Sequence, residues 1–219
     1  MPSSVWFIDE EWSWRVFRST GGWELAAYGY WGFWKSPAGV DPASGRATFP
    51  PLSVYGASAR GSLFGGITNL EWAYYDSRSD RDGDDPTVQN SEVRWLVGHE
   101  RELVSNLTLG VQYYAELRLQ HDAHLNELPP GAPLPERIRH VGTTRLTWFA
   151  LRRTLQLGLF VYVAPVDADA WVRLNGSYDV DDHWTISAGS NLIVGRHPHT
   201  FFAQFERNSN VYLAVRYAL

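Results

Sequence analysis

Residues 106–120 read NLTLGVQYYAELRLQ. Leu107, Leu109, Val111, Tyr113, Ala115, Leu117 and Leu119 occupy one parity, and Asn106, Thr108, Gly110, Gln112, Tyr114, Glu116, Arg118 and Gln120 occupy the other. Successive side chains of a β-strand point to opposite faces, so this period of two demands a strand with one apolar and one polar face. The same alternation recurs along the chain and predicts strands over 11–18, 22–34, 51–63, 66–76, 91–99, 106–120, 139–151, 154–164, 170–180, 184–194 and 210–219. Ordinary globular strands run about 5–6 residues, whereas a tilted strand that crosses a bilayer needs about 9–11. Segments of this length favour the membrane, with the apolar face against lipid.

The connections sort in the same sense. STGG (19–22), FGG (64–66), LRRT (151–154), DDH (181–183) and the slightly longer ERELVS (100–105) read as turns. They alternate with longer stretches rich in Pro, Asp or Gly: 35–50, 76–90, 121–138, PVDAD (165–169) and 195–209. In one antiparallel meander this alternation puts the short turns at one end and the long loops at the other, the layout of outer-membrane barrels. The expected fold is therefore all-β: an antiparallel up-and-down transmembrane β-barrel of about 10–12 strands, one domain over residues 1–219.

Composition agrees and removes alternatives. No run of about 18 apolar residues exists, so no membrane-spanning helix is expected. Cysteine is absent, which rules out disulfides and thiolate metal sites. A net charge of −5 gives no general basic surface for nucleic acid. The start, MPSSVWFIDEEW, lacks the basic head and apolar core of a signal peptide. Single-chain bacterial barrels have even strand numbers, and eleven segments are counted. Together these predict a chain lacking its N-terminal portion, with a short extra strand in VWFI (5–8) or TFFAQF (200–205) as the alternative.

The last ten residues, NVYLAVRYAL, alternate Val211, Leu213, Val215, Tyr217 and Leu219 with Tyr212, Ala214, Arg216 and Ala218. They resemble the C-terminal strand of Gram-negative outer-membrane barrels, although such strands usually end in an aromatic residue and this one ends in Leu219. Segments 169–195 and 201–219 are similar to the C-terminal hairpins of porin-like proteins. The resemblance implies an outer-membrane location, contact with outer-membrane lipid and lipopolysaccharide, and recognition of strand 210–219 by the barrel-assembly machinery.

Parity then assigns faces. Trp23, Trp31, Trp72, Trp95, Trp148, Trp184 and Tyr217 are expected to form aromatic girdles on the lipid face, where amphipathic rings sit at headgroup depth. Arg15, Glu24, Arg60, Glu71, Arg94, Gln112, Glu116, Arg118, Arg145, Arg173, Asn175, Asn191 and Arg216 are expected to line the lumen, with Glu92, Arg139 and Asp179. Dry burial of such charges requires partners, so they either pair into a plug or border water. A slight Arg excess over acids suggests anion preference.

Other features carry less. Asp80, Asp82 and Asp84 open like a calcium loop, but Asp85 and Ser91 stand where Gly and Glu are required, so a solvated external loop is expected. His121 and His124, and His197 and His199, are two separated pairs read as surface histidines rather than a metal site. No G-x-S-x-G motif occurs, and nothing calls for a cofactor. The expected function is passive: porin-like diffusion of small solutes or ions through an Arg/Glu-lined lumen. A structural or adhesion barrel closed by Arg–acid pairs is the alternative, and a lipid-modifying outer-membrane enzyme the third reading. FFAQFER (201–207) breaks the alternation and is expected to fold into the lumen or pack at its rim.

Overall fold

Alternating segments become long strands, and local turn chemistry joins them. The computed structural model describes residues 10–198 and 200–218. The VWFI segment, His199 and the terminal Leu219 lie outside the described residues. The strands are β1 (Trp12–Thr20), β2 (Trp23–Phe33), β3 (Gly39–Val40), β4 (Ala47–Thr48), β5 (Pro51–Leu63), β6 (Gly66–Ser77), β7 (Glu92–Val104), β8 (Leu107–Arg118), β9 (Ile138–Ala150), β10 (Leu155–Ala164), β11 (Asp169–Asp179), β12 (Trp184–Gly195) and β13 (Asn210–Tyr217). One short helix, α1 (His121–Glu127), lies between β8 and β9. Apart from the small β3–β4 hairpin, the strands make one antiparallel up-and-down sheet of eleven, in the order β1-β2-β5-β6-β7-β8-β9-β10-β11-β12-β13.

The tight turns have identifiable causes. Gly21 and Gly22 both take positive φ, +57° and +79°, the backbone that a two-residue type I′ hairpin needs. Phe64 and Gly65 make the same turn with φ of 51° and 74°. Asp181 holds the β11–β12 turn by accepting the amides of His183 and Trp184.

Three expectations are corrected. ERELVS is mostly strand: β7 runs to Val104 and the chain reverses at Ser105–Asn106, where Asn106 takes φ of 64°. Residues 200–205 add no strand. They enter a turn and the 3-10 helix Ala203–Asn208, where Phe205 and Ser209 donate amides to carbonyls three residues back. PVDAD is a tight turn closed by Ala168 N–H to Pro165 O, not a long loop.

The chain divides into two compact units. One holds the described residues up to Gly61, Asn69–Leu96 and Ala115–Ile138; the other holds Ser62–Thr68, Val97–Tyr114 and Arg139 onward. In the first unit, β1, β2 and β5 pair in a register that sets Trp12 beside Trp31, Arg15 beside Tyr28, and Glu24 beside Arg60. Its small apolar core is Trp34, Ala38 and Leu52, with Tyr30, Val54 and Tyr75 against it.

In the second unit, β9 to β13 pair without a slip. Trp148, Leu157 and Gly176 are neighbours, as are Leu155, Tyr178, Ile186 and Val215. This apolar face is not packed away. Leu174 is 52% exposed, Leu192 54% and Leu213 73%. In β8, Val111 is exposed and Leu109 and Leu117 are half-buried, so none lies in a packed interior.

Aromatic rings cover glycines on neighbouring strands. Trp14 stands opposite Gly29, and a β-carbon at Gly29 would overlap its indole; Trp23 covers Gly61 in the same way. Gly29→Val is expected to destabilise the chain by about 1–3 kcal/mol through overpacking. The cost should shrink in a Trp14→Ala background, because the two changes share one contact. Denaturant unfolding of the four members of the cycle measures it; strict additivity would refute the contact as the cause.

Candidate functional site on the polar face

The register sets Arg15, Glu24 and Arg60 on one face in the first unit, and Arg145, Arg173 and Asn191 on one face in the second. In the first unit, Arg15 bonds Glu24 at 2.6 Å and lies over the Phe17 ring, 4.3 Å from its centroid. Tyr28 beside it bonds Ser58 at 2.9 Å. Arg60 is the cross-strand neighbour of Glu24, and Glu71 is exposed.

Further along, β7 and β8 carry a denser group. Arg94 grips the buried Glu92 through Nε and a terminal nitrogen at 2.9 and 2.7 Å, and its Nε is 3.8 Å from Glu116. Gln89 donates to the other Glu92 oxygen at 2.7 Å. The Arg94 guanidinium lies 4.1 Å over Tyr75, which stacks on Trp34 at 5.7 Å. A planar cation that sets two of its nitrogens on one carboxylate oxygen and its face on an aromatic ring is an arrangement Lys cannot reproduce. Arg118 adds a second cation, with its Nε buried and without a hydrogen-bond partner.

The loops above this group are more ordered than the sequence suggested. Asp80 is buried and accepts the amides of Gly83, Asp84 and Asp85 at 2.9, 3.1 and 3.3 Å. Asp76 is buried and takes both nitrogens of Arg81 at 2.9 and 2.7 Å. The expected solvated loop thus has two carboxylates committed to its own fold, while Asp82 and Asp84 remain exposed. His124 is also corrected: it is 7% exposed, in α1, not at the surface. Burial, with Arg118 nearby, holds its imidazole below the ordinary histidine range. His121 is half-buried and meets Pro135 O at 2.8 Å; His197 is exposed.

In the second unit the polar face reads across five strands as one rung: Arg145, Phe160, Arg173, Asn191, Asn210. The next rung holds Thr147, Gly158, Asn175, Gly189 and Tyr212. Arg145 lies 5.8 Å over Phe160, and Phe160 meets Trp171 edge-on at 5.3 Å. Trp171 donates to Asn191 at 3.2 Å, and Asn191 to Asn210 at 3.1 Å. These residues border a cleft of about 320 Å³ lined by Arg145, Gln156, Gly158, Phe160, Trp171, Arg173 and Asn175 among others. Arg139, by contrast, is bound by Asp167 at 2.6 Å and Tyr162 at 2.9 Å.

FFAQFER folds onto this same face. Phe202 packs on Tyr162 at 4.7 Å and on Trp171 at 5.8 Å, and its amide donates to buried Asp169 at 2.9 Å. Gln112 meets Thr143 at 3.5 Å, and exposed Arg216 sits beside Thr185. Of the expected girdle, Trp31, Trp72, Trp148, Trp184 and Tyr217 are exposed, while Trp23 and Trp95 are half-buried. Sequence reasoning missed the polar-face aromatics Trp34, Tyr75, Phe160 and Trp171. Parity would have put Trp171 on the face of Arg173 in β11 and Phe160 on the polar face of β10, while register makes Phe160 and Arg173 neighbours.

Arg94→Ala leaves the buried Glu92 carboxylate without its main partner and is expected to cost about 3 kcal/mol in urea unfolding. Glu116→Gln, at the longer distance, should cost far less. For His124 the sign follows from its lowered folded value. Below about pH 6.5 the unfolded chain takes up a proton that the folded site refuses, so stability of the α1 loop falls with acidification. Around it, Arg118 and His121 oppose protonation, and Asp80 and Asp85 favour it. Protection factors of the α1 amides, with the intrinsic pH dependence of exchange divided out, should therefore fall between neutral pH and about pH 5, and His124→Gln should remove that fall. The chain matches no protein-family model and no curated protein.

Proposed function

We propose that the sheet forms the wall of a transmembrane β-barrel of the bacterial outer membrane, and that the protein is a porin-like channel for passive diffusion of small solutes or ions. The observation that carries this reading is the exposed apolar face. Leu157, Leu174, Tyr178, Trp184, Ile186, Leu192, Leu213 and Val215 share one side of β10–β13 and stay open to the surroundings, with Arg145, Arg173 and Asn191 on the reverse. Monomeric soluble proteins rarely expose contiguous apolar surface beyond a few hundred Å². Lipid accounts for such a face, and strands of ten to thirteen residues from β2 to β12, the small β3–β4 hairpin aside, match the span of a tilted membrane strand. Trp and Tyr near strand ends would stand at the interfaces, outer-membrane lipid and lipopolysaccharide would meet the apolar ladder, and β13 would be the segment offered to the assembly machinery.

In this reading solutes pass along the polar face, and side-chain charge sets selectivity. A second reading, a structural barrel with a closed lumen, draws on the Arg15–Glu24, Arg94–Glu92 and Arg139–Asp167 pairs. The two differ in conductance. The full chain folded into planar bilayers should give stepwise current, with a reversal potential under a salt gradient that favours anions. Membrane insertion without conductance would support the closed barrel, and failure to enter lipid at all would refute both. Clear cation preference would refute the selectivity but not the channel.

A further inference from the structure

The acid–base pairing seen elsewhere on the polar face stops at the cleft of the second unit. Among the described residues neither Arg145 nor Arg173 forms an ion pair, while Arg139 on the same face is neutralised by Asp167. The two arginines flank Phe160 directly, one strand to either side. Adjacent strands lie about 4.8 Å apart, so the two chains start roughly 10 Å from each other across the ring. The Arg145 guanidinium already leans over Phe160. Both border the same cleft, which Asn175 and Gly158 of the next rung also line. The Asn175 amide occupies the space where a Gly158 side chain would stand.

We propose that this cleft binds a small organic anion made of a carboxylate joined to a flat, apolar ring. The carboxylate accepts the planar guanidinium donors of Arg145 and Arg173, whose geometry suits bidentate pairing. The ring lies against Phe160 and the edge of Trp171 in offset or edge-to-face contact. Asn175 and Gln156 supply amide donors and acceptors at the border. The volume, about 320 Å³, suits a ligand of one ring with a short polar arm. Trp171 is held in place by its bond to Asn191 and by Phe202, so the aromatic wall is fixed before a ligand arrives. The inference goes beyond the channel reading, since it needs only the polar face and its register.

The test uses the folded full chain in detergent, in a buffer free of carboxylate and phosphate. Saturation-transfer NMR would compare benzoate, acetate and benzamide. Benzoate should bind, with acetate and benzamide each weaker by about ten-fold or more, since each lacks one of the two recognised parts. Arg145→Gln and Arg173→Gln, both at exposed positions, should each weaken benzoate by about ten-fold, and Phe160→Leu should bring benzoate down toward acetate. Arg101→Gln, on exposed β7 away from the cleft, should leave binding unchanged, and circular dichroism checks that each variant is folded. Absence of benzoate binding, equal binding of benzoate and acetate, or wild-type binding by folded Arg145→Gln and Arg173→Gln would each overturn the proposal. Benzoate binding by a chain that does not enter bilayers would leave this site standing while the channel reading falls.

Discussion

Everything distinctive in this molecule depends on an antiparallel register that keeps two parities apart. Between β9 and β13 the pairing advances one residue for one residue with no interruption. A slip by one would turn every side chain of a strand to the other face. It would set Arg173 on the side of Leu159 and Leu192, and would open the rung that joins Arg145 to Asn210. Among the described residues the apolar face of β10–β13 stays open rather than packed, so the pairing pattern and the turns must specify the register. Gly21–Gly22 and Phe64–Gly65 do this at two hairpins by fixing the number of residues in the reversal.

The register has a further consequence for the proposed membrane setting. In hydrocarbon each backbone amide and carbonyl needs a partner, which sheets satisfy only by closing. Among the described residues the meander has eleven strands, so its last strand runs in the direction of its first. It can close through a parallel seam or through one further strand. Odd-stranded barrels are known in mitochondria, while bacterial single-chain barrels are even. Strand count is thus the feature on which the architecture and the origin bear on each other.

The strands were legible because their signal is local. Period two, Gly pairs and Asp-rich loops act within a few residues, and the segments expected at 51–63 and 66–76 are β5 and β6 almost to the residue. What was not legible depends on partners distant in sequence. Asp80 reads as a solvated acid until its carboxylate is seen to organise the amides of residues 83–85. His124 reads as a loop histidine until α1 buries it. ERELVS is polar enough to pass for a turn, yet a strand that continues past the apolar zone has no need of apolar residues. The cleft at Arg145 was hidden for a different reason. Parity assigns a face but not a neighbour, and only register brings three residues from three strands into one rung.

Register also explains a compositional oddity. The chain has nineteen basic side chains, and Lys35 is the one lysine among them. A biased genome could produce this, but the geometry gives the bias a use. On the polar face Arg15, Arg94, Arg145 and Arg153 each lie over an aromatic ring, with Arg94 4.1 Å from Tyr75. Arg81 and Arg94 also use their forks on single carboxyl groups. A guanidinium is weakly hydrated and flat, so it can stack and pair at once, whereas an ammonium holds its water and offers no plane. On a crowded polar face built from rings and charges, arginine satisfies both neighbours with one side chain. The aromatic richness and the lysine poverty of this sequence are therefore two sides of one packing solution. Where no acid stands beside them, as at Phe160, Arg145 and Arg173 keep the same chemistry open on the polar face.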